Sequence, residues 1–205
     1  MSGWMQKTLL TGLILLLSGL LLWVLYFWAP EEDRSHQQLT IQHAPVGGDF
    51  QFNSHRGPVS LSALRGKVVA LYFGYTQCPD ICPTSLGYLS LALGQLNAEE
   101  LADFQGLFIS VDPKRDSLQR LKEYGEFFHP SILGATGSVA QVDAAVRRYG
   151  AAYRISDTGS EMGYIVDHSA DTYLIDRNGK LSTVLPHGTA PETVLAELRR
   201  LLRAG

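Results

Sequence analysis

The sequence predicts an α/β domain built on a mixed sheet and carried behind one membrane-spanning helix. Three observations predict this. "KVVALYFGY" from Lys67, "GLFISVD" from Gly106 and "DTYLID" from Asp171 are continuous apolar runs rather than alternating ones, as central strands covered on both faces require. Between and after them, apolar residues recur at helical spacing: Leu118, Leu121, Tyr124 and Phe128; Val139, Val142, Val146 and Tyr149; Val194, Leu198, Leu201 and Leu202. Strands alternating with helices pack as layers around one sheet. Finally, residues 9–29, "LLTGLILLLSGLLLWVLYFWA", carry no charge.

At about 1.5 Å per residue, that uncharged run is long enough to cross a hydrocarbon core of roughly 30 Å. Trp23, Tyr26, Phe27 and Trp28 crowd its far end, where aromatic rings favour the membrane interface. It is longer than the apolar core of about 7–15 residues in a cleaved signal peptide. Phe27 also stands where a small residue is needed for cleavage. Residues 9–29 therefore read as an uncleaved anchor. Lys7 flanks one side, and Glu31, Glu32 and Asp33 the other. Positive residues stay inside, so residues 1–8 form a cytoplasmic tail and the rest lies beyond the membrane. Residues 30–45 are polar and read as a tether; residues 46–205 form the domain. The short charged tail, without a long Arg/Ser-rich leader, points to a bacterial inner membrane. Crossed once, that membrane leaves the domain in the periplasm, an oxidising space. Seventeen Lys+Arg against 20 Asp+Glu give a formal net charge of −3. With no basic patch or arm, this argues against nucleic-acid binding.

Within the domain, "DFQFNSHRGPVSL" at 49–61 alternates and turns at Arg56-Gly57-Pro58, which predicts a hairpin. "DRNGK" at 176–180 is a turn joining Tyr173–Ile175 to a strand at Leu181–Leu185. Ser138 with Gln141, and Thr189 with Glu192, have the spacing of capping boxes that open the last two helices.

Both cysteines of the chain lie in "YFGYTQCPDICPTS" at 72–85, four apart and each followed by proline. The loop follows the strand Val68–Gly74 and precedes a helix. Pro83 suits a first helical position, which places Cys82 near a helix amino terminus. The positive end of a helix lowers a thiol pKa and favours the thiolate. Three readings stay open. A structural disulfide closing so short a loop removes little chain entropy. A thiol–disulfide oxidoreductase fits a thiol pair between strand and helix, although C-x-x-x-C departs from C-x-x-C. Two soft thiolates also suit Cu(I) or Zn(II) if a third ligand completes the site.

Six histidines are available. His36 and His43 lie in the tether, His55 in the hairpin turn, His129 at a helix end and His187 in a loop. His168, in "YIVDHSADTYLID", stands just before a predicted central strand that could bring it to the sheet edge holding the cysteine loop.

Taken together, these segments resemble the Sco family (SenC/PrrC in bacteria), the membrane-anchored copper-binding proteins of cytochrome c oxidase assembly. "YFGYTQCPDICPTSL" is similar to the family's signature loop, "SVDPKRDS" at 110–117 to its VDP-x-RD segment, and "VDHSADTYLIDRNG" at 166–179 to the segment with its ligand histidine. The family's VDP segment commonly continues Asp-Thr-Pro, where this chain has Asp116-Ser117-Leu118. That departure falls at a helix start. The resemblance implies a thioredoxin-like fold with an added N-terminal hairpin. It also implies one copper, as Cu(I) or Cu(II), held by Cys78, Cys82 and His168. Asp80 and Asp167 are the nearest carboxylates in sequence for a further ligand or a supporting bond. The implied function is that of a copper chaperone rather than an enzyme. It would be loaded by an upstream periplasmic copper donor or kept reduced by a thiol reductase, and would deliver to cytochrome c oxidase subunit II. The enzymatic alternative is a reductase of that subunit's cysteines, using Cys78 and Cys82 as a redox disulfide pair.

Overall fold

The computed structural model describes residues 3–27, 44–157 and 163–204. The chain divides into two compact units, residues 1–38 and 39–205. In the first, α1 runs from Gly3 to Phe27 and so begins earlier than the uncharged run, taking in Lys7. Two of its hydroxyls turn back on its own backbone: Thr11 donates to the Lys7 carbonyl at 2.8 Å and Ser18 to the Leu15 carbonyl at 3.0 Å. Among the described residues no helix is long and apolar enough to cross a membrane. A spanning role for α1 therefore rests on the sequence of 9–29, of which Trp28 and Ala29 lie outside the described residues. Residues 30–43 of the expected tether, with His36 and His43, also lie outside them.

In the second unit, β1 (Gln51–Ser54) and β2 (Gly57–Ser60) form the expected hairpin. Its turn is His55-Arg56, and Gly57 follows at φ +103, a conformation that favours glycine. The remaining elements are β3 (Val68–Gly74), α2 (Ile81–Leu93), α3 (Ala98–Ala102), β4 (Phe104–Ser110), α4 (Leu118–Phe128), β5 (Ile132–Thr136), α5 (Val139–Arg148), β6 (Tyr153–Asp157), β7 (Tyr164–His168), β8 (Thr172–Ile175), β9 (Leu181–Leu185) and α6 (Pro191–Arg203). Seven strands make one mixed sheet in the order β2-β1-β5-β4-β3-β8-β9. The parallel strands β5, β4 and β3 lie at its centre, and antiparallel pairs flank them. Every residue of β3 is buried, which is why its sequence is continuously apolar.

Two helix starts differ in detail from expectation. Ser138 and Gln141 do close a capping box on α5. Thr189 and Glu192 do not: α6 starts at Pro191 behind Ala190, and the Thr189 hydroxyl donates instead to the Pro186 carbonyl at 2.6 Å. Proline lacks an N–H that the first helical position leaves unused, so Pro191 sets the start one residue later than the box requires. Likewise α2 begins at Ile81 with Asp80 as its cap, making Pro83 the third helical residue rather than the first. Its missing N–H still falls among those a helix start leaves unbonded. Ser117 caps α4 by accepting from the Arg120 N–H, so the departure from Asp-Thr-Pro leaves a working helix start. On the predicted apolar faces, Leu118 and Val139 are exposed, whereas Leu121, Val142, Val146 and Tyr149 are buried.

One element was not anticipated. β6 and β7 form a separate two-stranded antiparallel sheet, and His168 ends β7, paired with Tyr153. It is thus not the residue leading directly into β8.

Candidate metal centre

The centre forms where β3 leaves the sheet. Gly74, the last residue of β3, lies beside Ser110 of β4. A Cβ on Gly74 would stand 2.6 Å from Cys82 Sγ and 2.8 Å from Phe108 Cε2, so glycine is needed to let the sulfur approach the strand. Beyond it, the Cys78 N–H donates to the Tyr75 carbonyl at 3.2 Å, which turns the loop back. Cys82 is 0 % exposed and Cys78 8 %; both are free thiols. The Cys82 backbone N–H, in the first turn of α2, donates to Cys78 Sγ at 3.4 Å.

His168 arrives from the other side. Its Nε2 lies 3.2 Å from Cys82 Sγ, and its Nδ1 is 2.9 Å from the Ser169 carbonyl. A carbonyl only accepts, so Nδ1 donates there, and this leaves Nε2 facing the sulfurs. Tyr72 and Tyr75 flank the imidazole edge-on, with ring centroids 6.3 and 5.7 Å away. The Cys78, Cys82 and His168 ligand atoms all lie within 4.8 Å of one another, and all three residues are buried.

The two thiols are unlike. The Cys82 side chain donates to Cys78, and this holds the Cys78 pKa down, at about 4, against the opposing effect of burial. His168 and the Cys82 backbone N–H lower it further. Burial pushes Cys82 far up, and the neighbouring Cys78 charge adds to the shift. The sequence favoured Cys82 as the thiolate because it lies nearest the helix end. The structure places the thiolate on Cys78, because Cys82 is the more deeply buried and serves as donor. With the His168 nitrogen, the unlike sulfurs make a donor set for a soft cation, and binding to both sulfurs releases the Cys82 proton.

The candidate carboxylates are not brought into this cluster. Asp80 is exposed, with Thr84 Oγ1 3.5 Å away. Asp167 accepts from Arg154 at 3.0 Å and from Ser156 at 3.2 Å. It precedes His168 on a strand, where successive side chains point to opposite faces. The other described histidines are also engaged elsewhere. His55 lies 3.9 Å from Glu126, His129 accepts from the Ser131 N–H, and His187 shares a 2.8 Å hydrogen bond with Ser85.

The sequence reading missed Tyr72, Tyr75, Gly74 and the charged residues of 110–116 that border the centre. Tyr72 and Gly74 sit in a run read only as strand. The carboxylates of "SVDPKRDS" were a signal, since charges next to a buried strand need partners.

A profile of the SCO1/SenC family matches residues 38–203. The chain belongs to the SCO1/SenC family. It is 39 % identical over 180 residues to the bovine protein SCO2 homolog, mitochondrial, covering 85 % of this chain and 68 % of that one. Among solved structures it is similar to Arabidopsis thaliana ScoI with copper bound, at 32 % identity and TM-score 0.70, covering 78 % of this chain and 99 % of that one. It is also similar to Bradyrhizobium japonicum ScoI with copper bound, at 34 % identity and TM-score 0.69, covering 76 % and 99 %. As a SCO1/SenC protein it has the thioredoxin-like fold with the added hairpin that the family resemblance implied.

Proposed function

We propose that this chain is a copper chaperone that holds one copper between Cys78, Cys82 and His168 and delivers it to cytochrome c oxidase subunit II. The observation that carries the reading is the gathering of two sulfurs and one imidazole nitrogen within 4.8 Å. Similarity to two proteins solved with copper bound supports the choice of metal. Two thiolates and an imidazole suit three-coordinate Cu(I). Cu(II) would draw a further ligand, and Asp80 or Asp167 would have to leave its present partner to supply it. The recipient and the upstream donor of copper or electrons rest on the family resemblance of the sequence.

The anchor belongs to the same proposal. Residues 9–29 are uncharged, and the Thr11 and Ser18 hydroxyls are satisfied within the helix, as hydrocarbon requires. On this reading 1–8 face the cytoplasm, 30–45 tether, and 46–205 work in the periplasm of a bacterial inner membrane.

A second reading is favoured by the lowered Cys78 pKa. A thiolate beside a thiol could act as a disulfide reductase on the oxidase subunit, and the thiolate is the attacking form. His168→Ala separates the two. Copper affinity, measured by competition with a chromophoric Cu(I) chelator, falls if the chaperone reading holds, while disulfide reduction persists. Unchanged affinity in that variant sinks the ligand assignment.

A further inference from the structure

The histidine hairpin pairs with no strand of the main sheet among the described residues, so side chains must hold it against the cysteine loop. One segment touches both. Arg115 lies over the Tyr164 ring, 3.7 Å from its centroid, and its Nη1 donates to the Tyr164 carbonyl at 2.8 Å. Its Nε pairs with one oxygen of Asp112, whose other oxygen accepts from the Tyr164 hydroxyl at 2.7 Å. Tyr164 opens β7, the strand His168 ends. Toward the cysteines, Asp116 accepts from the Thr76 N–H at 3.0 Å, from the Thr76 hydroxyl at 2.5 Å and from the Ser110 hydroxyl at 2.6 Å. Thr76 lies two residues before Cys78. The Ser110 hydroxyl also accepts from the Asp112 N–H at 3.0 Å, and the Val111 N–H donates to the Gly74 carbonyl at 2.8 Å. Asp112 and Asp116 are each 2 % exposed. Carboxylates that deep are costly unless every bond they make is held in place, so the segment is stiff. The foot of the hairpin has a separate tie, from the Tyr153 hydroxyl to Asp143 of α5 at 2.7 Å. The Tyr72 and Tyr75 rings also touch His168; residues 110–116 add hydrogen bonds that reach both Tyr164 and Thr76.

We propose that residues 110–116 act as a positioning clamp that sets the separation of His168 from the two cysteines. Asp112 and Arg115 act through His168; Asp116 acts through the cysteine loop. The clamp rests on the copper-ligand reading above for its consequence, but not for its geometry. Partners that orient metal ligands typically contribute about 10–100-fold in affinity.

The test uses the full chain and two readouts. In Cu(I) competition, Arg115→Ala weakens binding by about tenfold or more. Combined with His168→Ala it costs nothing further, because it acts through that residue. Asp116→Asn weakens binding in a way that adds to His168→Ala. Losses from Arg115→Ala and His168→Ala that simply add would overturn the clamp. In hydrogen exchange on metal-free protein, Arg115→Ala speeds the β7 amides while β4 amides keep their rates; unchanged β7 exchange also overturns it. If Arg115→Ala does not fold, Tyr164→Phe removes only the hydroxyl bond to Asp112 and goes through the same comparisons. A wild-type chain that holds no copper refutes the ligand reading, and hydrogen exchange still decides the clamp.

Discussion

Cys78 and Cys82 follow β3, a strand buried at every residue and paired on both sides. His168 ends β7, in a two-stranded sheet whose other residues are mostly half-buried or exposed. The two halves of the centre therefore have different mechanical footing. The cysteine half takes its geometry from the hydrogen-bonded ladder of the main sheet and the first turn of α2. The histidine half takes it from discrete side-chain contacts. Local opening draws on regions with few buried apolar contacts, so the histidine side is the one able to release first. On the proposed chaperone reading, that asymmetry supplies a direction: His168 would release copper before the two sulfurs.

The sharpest way to break this comparison is to remove one ligand from each half. Cys82→Ser takes away the buried sulfur that lies 3.2 Å from His168 Nε2 and donates to Cys78. It should lower Cu(I) affinity by at least about a hundredfold, the upper end of what a supporting residue contributes. His168→Ala should cost less. If chelator competition gives the reverse order, the histidine half is the stronger one and the proposed direction of release is wrong.

Next in size is Gly74→Ala, aimed at the rigid half alone. The added methyl would overlap Cys82 Sγ and Phe108, and overpacking of this kind costs about 1–3 kcal/mol. Gly87→Ala is its control. It lies within α2, where a Cβ meets nothing within 4 Å, and replacing a mid-helix glycine should stabilise by about 0.5–1 kcal/mol. Urea midpoints on the metal-free protein read both. A Gly74→Ala variant as stable as wild type would show that the cysteine loop yields easily.

Acid probes the same half more gently. Cys78 has a folded pKa near 4 against a usual 9.0, so its thiolate stabilises the fold fully above pH 9. That contribution declines as pH falls from 9 toward 4. Cys82 is shifted the other way, and its contribution is present below pH 9 and lost above it. Reduced, metal-free protein should therefore gain stability between about pH 4 and 9 from Cys78 and lose it beyond through Cys82. Cys78→Ser should flatten the lower limb in a pH series of denaturant midpoints. A lower limb unchanged in that variant would place the thiolate elsewhere.

The same contrast explains what could be read in the sequence. The strand β3 was legible because a doubly covered strand is continuously apolar, and the loop after it because proline and cysteine mark a strand-to-helix turn. The β6–β7 hairpin was not. "YRISD" and "YIVDH" pair only with each other, and a short half-exposed ribbon leaves no strong period. Its location depends on Arg115 and Asp112, which meet Tyr164 across 49 and 52 residues of chain. His168 was singled out by its place before a predicted strand, and the family resemblance made it the expected ligand. The charge on Cys78 was misplaced for a related reason: proximity to a helix end shows in sequence, whereas the depth of Cys82 depends on packing against Gly74 and Phe108.

The smallest expected effect falls on Asp167, the carboxylate next to His168. Its partners are Arg154 and Ser156 on the hairpin surface, and its side chain and that of Arg154 are 37 % and 43 % exposed. A pair so exposed contributes about 0.2–1 kcal/mol. Asp167→Asn should therefore leave the urea midpoint nearly unchanged and the Cu(I) affinity of the isolated protein within about twofold, since each pK-sized step of 1.4 kcal/mol is tenfold. The flexible half is where such a result is most informative. If Asp167→Asn weakens copper as much as Arg115→Ala does, the carboxylate must swing from Arg154 toward the metal. The hairpin would then supply two ligands rather than one, and would be the stronger half once copper is bound.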